Sequence, residues 1–269
     1  MSSATVLIGV PAGNGWIFGP CVEAVYGTHG HDGPTMAKQA SGSMLTHTFN
    51  RLVGFARVAA AQGLITHFAM CHNDVVPAEN WLRDLLAEYE RTDADVLSAV
   101  IAIKSFSGQT STALGDPHDW YDFRRIMTRE LGTLPPTFAA DDCRRQLDWP
   151  RPTDCLLVNT GCWITDMRKP IWSATNPDGT YALRFHTEDR QWLDPADPQH
   201  VLSECAPEDW NFSRDLHRMG AKVLATRAVS TYHAVTQLWG TRPAWGAETD
   251  TEAEDFRQQY GRPDWKAHA

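Results

Sequence analysis

The chain has 269 residues, 42% of them hydrophobic, enough to fill one large α/β core or two small ones, so disorder is not expected. With 33 acidic against 24 basic residues its net charge is −9, which argues against a broad nucleic-acid or anionic-membrane footprint. The 6 cysteines form no CxxC pair, and no apolar run nears the roughly 18 to 20 residues that cross a bilayer, so free thiols in a cytoplasmic protein without membrane insertion are expected.

In chain order, Thr5 to Val10 has a buried-strand pattern and ends in the loop Pro11-Ala12-Gly13-Asn14-Gly15, whose small residues let a ligand approach the backbone. Gly42 to Gln62 carries Leu45, Phe49, Leu52, Val53 and Ala56 at helical spacing, with Gly63 as a C-cap. The strand through Ala69 runs out into the polar step His72-Asn73-Asp74. Pro77 and an amphipathic helix from Glu79 to Arg91 follow. Val96 to Ile103 reads as a strand, so residues 5 to 103 predict βαβαβ and a parallel sheet.

Residues 104 to 153 are broken by prolines and predict short elements without a clear order. Cys155 to Val158 and Cys162 to Ile164 read as strands around Asn159-Thr160-Gly161, and residues 173 to 206 as a long loop region. Trp210 to Met219 predicts a helix closed by Gly220. Lys222 to Thr226 and Ala228 to Tyr232 predict strands leading to His233. Residues 1 to 233 are expected to form one domain, with residues 234 to 269 as an aromatic tail (Trp239, Trp245, Trp265) packing on or near the active site.

The end of a parallel strand is where open α/β sheets place their chemistry. His72 and Asp74, two apart on an extended segment, share a face and can share one cation, for which Mn²⁺ or Mg²⁺ suits imidazole, carboxylate and phosphate oxygens. The plain alternative makes Asp74 a helix cap and His72 a surface imidazole. His233 is a candidate third ligand. Glu208 and Asp209 start a helix, where the macrodipole lowers a carboxylate pKa; they are either ordinary helix-start acids or a general-base pair. Arg51 can reach a diphosphate oxygen or face solvent. Asn159-Thr160-Gly161 can lay a sugar against backbone or simply turn the chain. Arg124, Arg125, Arg144, Arg145 and Arg151 lie near Trp120, Tyr121 and Trp149, the mixture of a nucleic-acid surface, but Asp119, Asp122, Glu130, Asp141, Asp142 and Asp148 offset much of that charge.

The order of these pieces resembles the GT-A fold glycosyltransferases, especially the inverting family-2-like group, from the opening strand Val6 to Pro11 through the DXD-like His72-Asn73-Asp74, the Gly161 strand pair and Glu208-Asp209 to the late His233. The resemblance implies a Rossmann-like α/β fold with a mixed, mostly parallel sheet flanked by helices. It implies a divalent metal (Mn²⁺ or Mg²⁺) held by Asp74 and His233, with His72 standing where the family's motif has its first Asp. Asp209, paired with Glu208, would deprotonate an acceptor hydroxyl that attacks the anomeric carbon with inversion. Pro11, Ala12, Gly13, Arg51, His72 and Gly161 would meet a nucleotide-sugar donor, a UDP-sugar by family frequency, with hexosyl transfer expected. The acceptor would be a hydroxyl on a DNA base, glycan, protein or small molecule. Phage-encoded proteins of this look include enzymes acting on hydroxylated pyrimidines in DNA, which would place the chain in a host cytoplasm. A metal-dependent phosphoester hydrolase would use the same His and Asp ligands on a water, and a non-catalytic nucleotide-sugar-binding module would bind without transfer.

Overall fold

The computed structural model describes residues 4–240 apart from 14, 28–30, 106, 120–121 and 235–237, and the backbone of 238–240. The first part of the chain supplies β1 (Val6–Pro11), α1 (Gly19–Tyr26), β2 (Thr35–Ala40), α2 (Leu45–Ala61), β3 (His67–Cys71), β4 (Val75–Pro77), α3 (Trp81–Thr92) and β5 (Val96–Ala99). The middle adds β6 (Gln109–Gly115), β7 (Phe123–Met127), β8 (Thr137–Phe138), α4 (Ala140–Gln146), β9 (Cys155–Leu157) and β10 (Cys162–Asp166). The last part adds β11 (Glu188–Leu193), β12 (Val201–Ala206), α5 (Glu208–Arg218), β13 (Val223–Thr226), β14 (Thr231–Ala234) and β15 (Leu238–Gly240).

The central sheet has 7 strands in the order β2-β1-β3-β10-β5-β13-β8. β2, β1 and β3 run parallel, as do β5 and β13, while β10 opposes both its neighbours and β8 opposes β13. This is the expected α/β class with a mixed, mostly parallel sheet. Strand alternation feeds two cores. Val6, Ile8 and Val10 pack with Val25 of α1 and Trp81, Leu82 and Leu85 of α3. Leu7, between them in sequence, faces the other way into Phe49, Leu52 and Val53 of α2 and Phe212 and Leu216 of α5. Burial on both faces is why β1 and β3 read as unbroken apolar runs.

Three expectations need correction. The first hundred residues are not a simple βαβαβ unit, because α1 and β2 intervene. β2 is the sheet's edge strand and Thr35 to Gln39 are all exposed, so it carries no apolar pattern that could announce it. Residues 173 to 206 are not one loop: β11 and β12 form an antiparallel hairpin. The segment before the hairpin is clamped to α2. Asn50 Nδ2 donates to the Phe185 carbonyl at 2.8 Å while its Oδ1 accepts the Phe185 N–H at 2.9 Å, and Arg57 donates to the carbonyls of Trp172 and Leu183. Finally, β9 and β10 do not pair with each other. β9 belongs to a separate sheet, β7-β6-β9, so Asn159-Thr160-Gly161 is a crossing between sheets.

From β1 the chain goes to β2 on one side and, through α2, to β3 on the other. A crevice therefore opens beyond the carboxyl ends of β1 and β3, the topological switch point where such sheets bind ligands.

Candidate functional site

One wall of the crevice is the loop after β1. The Ala12 N–H donates to Ala40 at 2.9 Å, holding the loop against the end of β2. Asn73 stitches it to the end of β3: its Nδ2 donates to the Trp16 carbonyl at 2.7 Å and its own carbonyl accepts the Phe18 N–H at 3.0 Å. Arg51 is exposed on α2 and donates to the Ser41 carbonyl at 3.2 Å, which puts it on the same rim as Gly13. Pro11, Ala12, Gly13 and Arg51 are thus brought together at the carboxyl end of β1.

Asp74 lies where β3 gives way to β4. Pairing of β14 with β4 sets His233 opposite Val75, and the Ala234 N–H donates to the Asp74 carbonyl at 2.7 Å. These backbone bonds bring His233 Nε2 to 3.7 Å from Asp74 Oδ2. His233 Nδ1 lies 3.0 Å from the Ala102 carbonyl, which can only accept, so Nδ1 carries a hydrogen and the ring is fixed with Nε2 toward Asp74. The same carboxylate oxygen takes a bond from Lys104 Nζ at 2.5 Å. Burial acts to raise the Asp74 carboxyl, but His233 and Lys104 outweigh it and hold the group well below the usual carboxylate range. Asp74 is therefore an ionised, partnered group and not the helix cap of the plain reading.

His72 does not join this pair as a third ligand. Its ring packs on Phe49 with centroids 4.8 Å apart, its Nε2 is buried without a hydrogen-bond partner, and burial pushes its pKa down to about 4. Its backbone N–H donates to the Gly161 carbonyl at 2.8 Å. Gly161 is itself enclosed: a Cβ there would lie 2.6 Å from Asn159 Oδ1 and 2.8 Å from Ile101 Cδ1. The missing side chain leaves room for Asn159, Ile101 and Val75 to close around the turn into β10.

Glu208 and Asp209 occupy the first turn of α5, which carries the chain back toward the amino end of β13 and so starts on the carboxyl side of the sheet. Trp210 anchors that turn, with its Nε1 donating to the Ser111 carbonyl at 3.4 Å, and Ser111 in turn donates through Oγ to Ile101 at 2.9 Å. Ala102, the residue after Ile101, receives the hydrogen bond from His233. Asp74 and Asp209 are thus tied to the same segment beyond β5. Here the expected effect of the helix start is overturned. Asp209 Oδ1 is buried without a partner, and burial together with the Glu208 charge pushes its pKa up to about 7 against the pull of Arg125. Burial also raises Glu208. At Asp209 desolvation and the Glu208 charge outweigh the macrodipole and the backbone N–H groups of the helix start, which still act to lower the pKa.

A carboxylate near neutrality with a free buried oxygen is suited to accept a proton. Lys104 was missed from the sequence, and Arg125 was read there only as part of a basic and aromatic surface. Arg125 lies with its guanidinium 4.7 Å from the Trp210 ring, and Lys104 reaches Asp74. The available signal for Lys104 was its position directly after the strand predicted at Val96 to Ile103, at the same end of the sheet as Asp74.

The basic and aromatic mixture at residues 120 to 151 is largely spent within the protein. Arg124 pairs with Glu130, Arg144 with Asp141, Arg145 with Asp142, and Arg151 with Asp122 and Asp154, while Arg124 and Arg151 also lie over Trp149. Asn14, Trp120, Tyr121, the Trp239 side chain, Trp245 and Trp265 lie outside the described residues. Among the described residues no helix is long and apolar enough to cross a membrane. A cavity of about 270 Å³ lined by Ala139, Arg144, Leu156, His217 and Lys222 sits at the amino end of β13, away from the crevice.

The divalent ion that the resemblance implies does not fit these residues as they stand. Among the described residues no group of three or more His, Cys, Asp or Glu side chains can hold one ion, and the His72, Asp74, His233 trio does not assemble. Two protein ligands can suffice for an ion that also binds phosphates. The obstacle is Lys104, whose ammonium already occupies the Asp74 oxygen that faces His233. At an effective dielectric of about 20, two like unit charges 4 Å apart repel by roughly 4 kcal/mol, and a divalent ion doubles that.

No family model and no curated protein matches the chain. Among solved structures it is similar to A197 from STIV, at 9% identity and a TM-score of 0.47 over 86% of each chain. It is also similar to GalNAc-T7 with UDP, GalNAc and Mn²⁺, at 11% identity and a TM-score of 0.45 over 99% of this chain and 50% of that one. A third similarity is to UDP-glucose pyrophosphorylase complexed with UDP-glucose, at 10% identity and a TM-score of 0.35 over 94% of this chain and 80% of that one.

Proposed function

We propose that the protein is a nucleotide-sugar transferase that moves a sugar from a nucleoside-diphosphate donor to an acceptor hydroxyl with inversion. The observation that carries this reading is the pair of carboxylates tied to one segment at the sheet's carboxyl edge in opposite electrostatic states. Asp74 is held ionised by Lys104 and His233, while Asp209 is pushed up to about 7 with a buried oxygen unpartnered. A pair of titratable groups driven apart in this way is a pattern of acid and base assignment.

In this reading the diphosphate lies across the switch-point crevice between the Pro11 to Gly13 loop and Asp74, with Arg51 on its rim. The acceptor hydroxyl lies against Asp209. Its proton passes to the Asp209 carboxylate as its oxygen forms a bond to the anomeric carbon. The bond from that carbon to the diphosphate oxygen breaks, and the electron pair leaves with the diphosphate. Glu208 keeps Asp209 basic through its charge, and Trp210 fixes the turn. The uridine base is taken from the family-2-like resemblance of the motifs, and a hydroxylated pyrimidine of phage DNA is the acceptor to try first, ahead of glycans, proteins and small molecules.

The test is release of UDP from UDP-hexoses by the full chain, with and without hydroxymethylated DNA, alongside the Asp209→Asn variant. Acceptor-dependent UDP release that vanishes in the variant, while UDP binding persists, is expected. Release of sugar phosphate or nucleotide without an acceptor would move the protein to the hydrolase reading. Binding without any turnover would make it a binding module.

A further inference from the structure

The groups best placed to do something not yet assigned are those around Asp74. Lys104 leaves the carboxyl end of β5 on the segment toward β6, with its side chain 34% exposed, so it is neither sealed in the core nor loose in solvent. Among the described residues its ammonium bonds Asp74 alone, at 2.5 Å. An ammonium has three donors, so two remain for phosphate oxygens. Cys21, on α1 nearby, competes for nothing: burial and the Asp74 charge push its thiol up to about 12, against the Lys104 charge, so it stays neutral. On a chain with a net charge of −9, a diphosphate needs a local cation wherever it binds.

We propose that Lys104 is the protein's own cation for the donor diphosphate, with Asp74 holding it in place, so that nucleotide binding does not require a divalent metal. This inference rests on the reading of the crevice as a nucleoside-diphosphate site. Lysine binds phosphate as a compact point charge on a flexible stem. Anchored to Asp74 Oδ2, it takes the carboxylate oxygen that a metal ion on the Asp74 and His233 pair would need. Asp74 then acts as a positioning residue for Lys104 rather than as a metal ligand. His233, its ring fixed by Ala102, lies 3.7 Å from the same carboxylate oxygen.

The experiment uses the full chain and has two arms. In the first, Mn²⁺ alone is titrated into the wild type and Lys104→Ala and followed by the loss of its free-ion EPR signal. The wild type is expected to leave the signal unchanged to millimolar ion, and Lys104→Ala to gain binding as Asp74 and His233 are released. Mn²⁺ binding by the wild type at micromolar concentration would overturn the inference and leave the nucleotide reading standing. In the second arm, UDP binding is measured by calorimetry in EDTA and in Mn²⁺. The wild type is expected to bind in both within about threefold, Lys104→Arg within about tenfold of the wild type, and Lys104→Ala to lose at least thirtyfold in EDTA. Wild-type binding seen only with Mn²⁺ overturns the role of Lys104. No binding of UDP, ADP, GDP or CDP under either condition overturns the nucleotide reading and this inference with it. A melting curve of Lys104→Ala within a few degrees of the wild type separates loss of charge from loss of fold.

Discussion

Two element ends on the carboxyl side of the sheet treat a carboxylate in opposite ways. At the end of β3, Asp74 is met by Lys104 and by a histidine fixed through Ala102, and it is held ionised. At the start of α5, Asp209 meets Trp210, Glu208 and a buried void of partners, and it is pushed toward neutrality. The difference shows that a helix N-terminus or a strand end does not by itself fix the state of an acid. What fixes it is whether a cation or a desolvating neighbour reaches it first.

The largest effect is expected at Asp209. Asp209→Asn should lower turnover by about 10² to 10⁴-fold and change UDP affinity by no more than about twofold, measured by initial rates and calorimetry. The pH profile sharpens it. With Asp209 titrating at about 7, kcat/KM should fall as pH drops below that value, and this limb should move or vanish in a variant of Glu208.

The same shift sets a stability effect of the opposite sign. Between the unfolded carboxyl pKa of about 3.9 and the folded value, the native state holds a proton that the unfolded chain has lost, so stability falls as pH rises across that interval. Asp209→Asn should therefore melt higher than the wild type at pH 8, by on the order of a few kcal/mol, with the gap closing toward pH 5. Asp74→Asn should melt lower than the wild type at pH 8, because it leaves Lys104 without its partner. If both variants shift the same way, the two carboxylates are not in opposite states.

A smaller effect is expected at Gly161, whose carbonyl holds the His72 N–H. Gly161→Ala places a Cβ against Asn159 and Ile101 and should cost about 1–3 kcal/mol in a denaturant titration, with UDP affinity falling as His72 and Asp74 shift. The smallest serves as a control away from the crevice. Asn50→Ala removes both hydrogen bonds to Phe185 and should cost about 1–2 kcal/mol while leaving UDP affinity unchanged.

Legibility followed burial. β1, α2, β3, α3 and β5 were readable because each buries a face, so its apolar period is written into the residues. β2 and the β11–β12 hairpin were not, since edge and surface strands keep exposed, mixed side chains. At the site, Asp74, His233 and Asp209 could be singled out by residue type and by position at element ends. Lys104 stands directly after a predicted strand and Arg125 in the basic and aromatic run, but nothing local assigns either to a carboxylate rather than to water.

By itself the sequence determined the α/β class, the apolar strands and helices of the first hundred residues, and which polar residues stand at their ends, since periodicity and chain order are local properties. Only the tertiary structure decided that β10 enters the central sheet antiparallel, that Lys104 rather than His72 meets Asp74, and that Asp209 is raised instead of lowered. Those outcomes depend on desolvation and on charges brought together from distant segments, which act through space and leave no mark on the residues beside them in the chain.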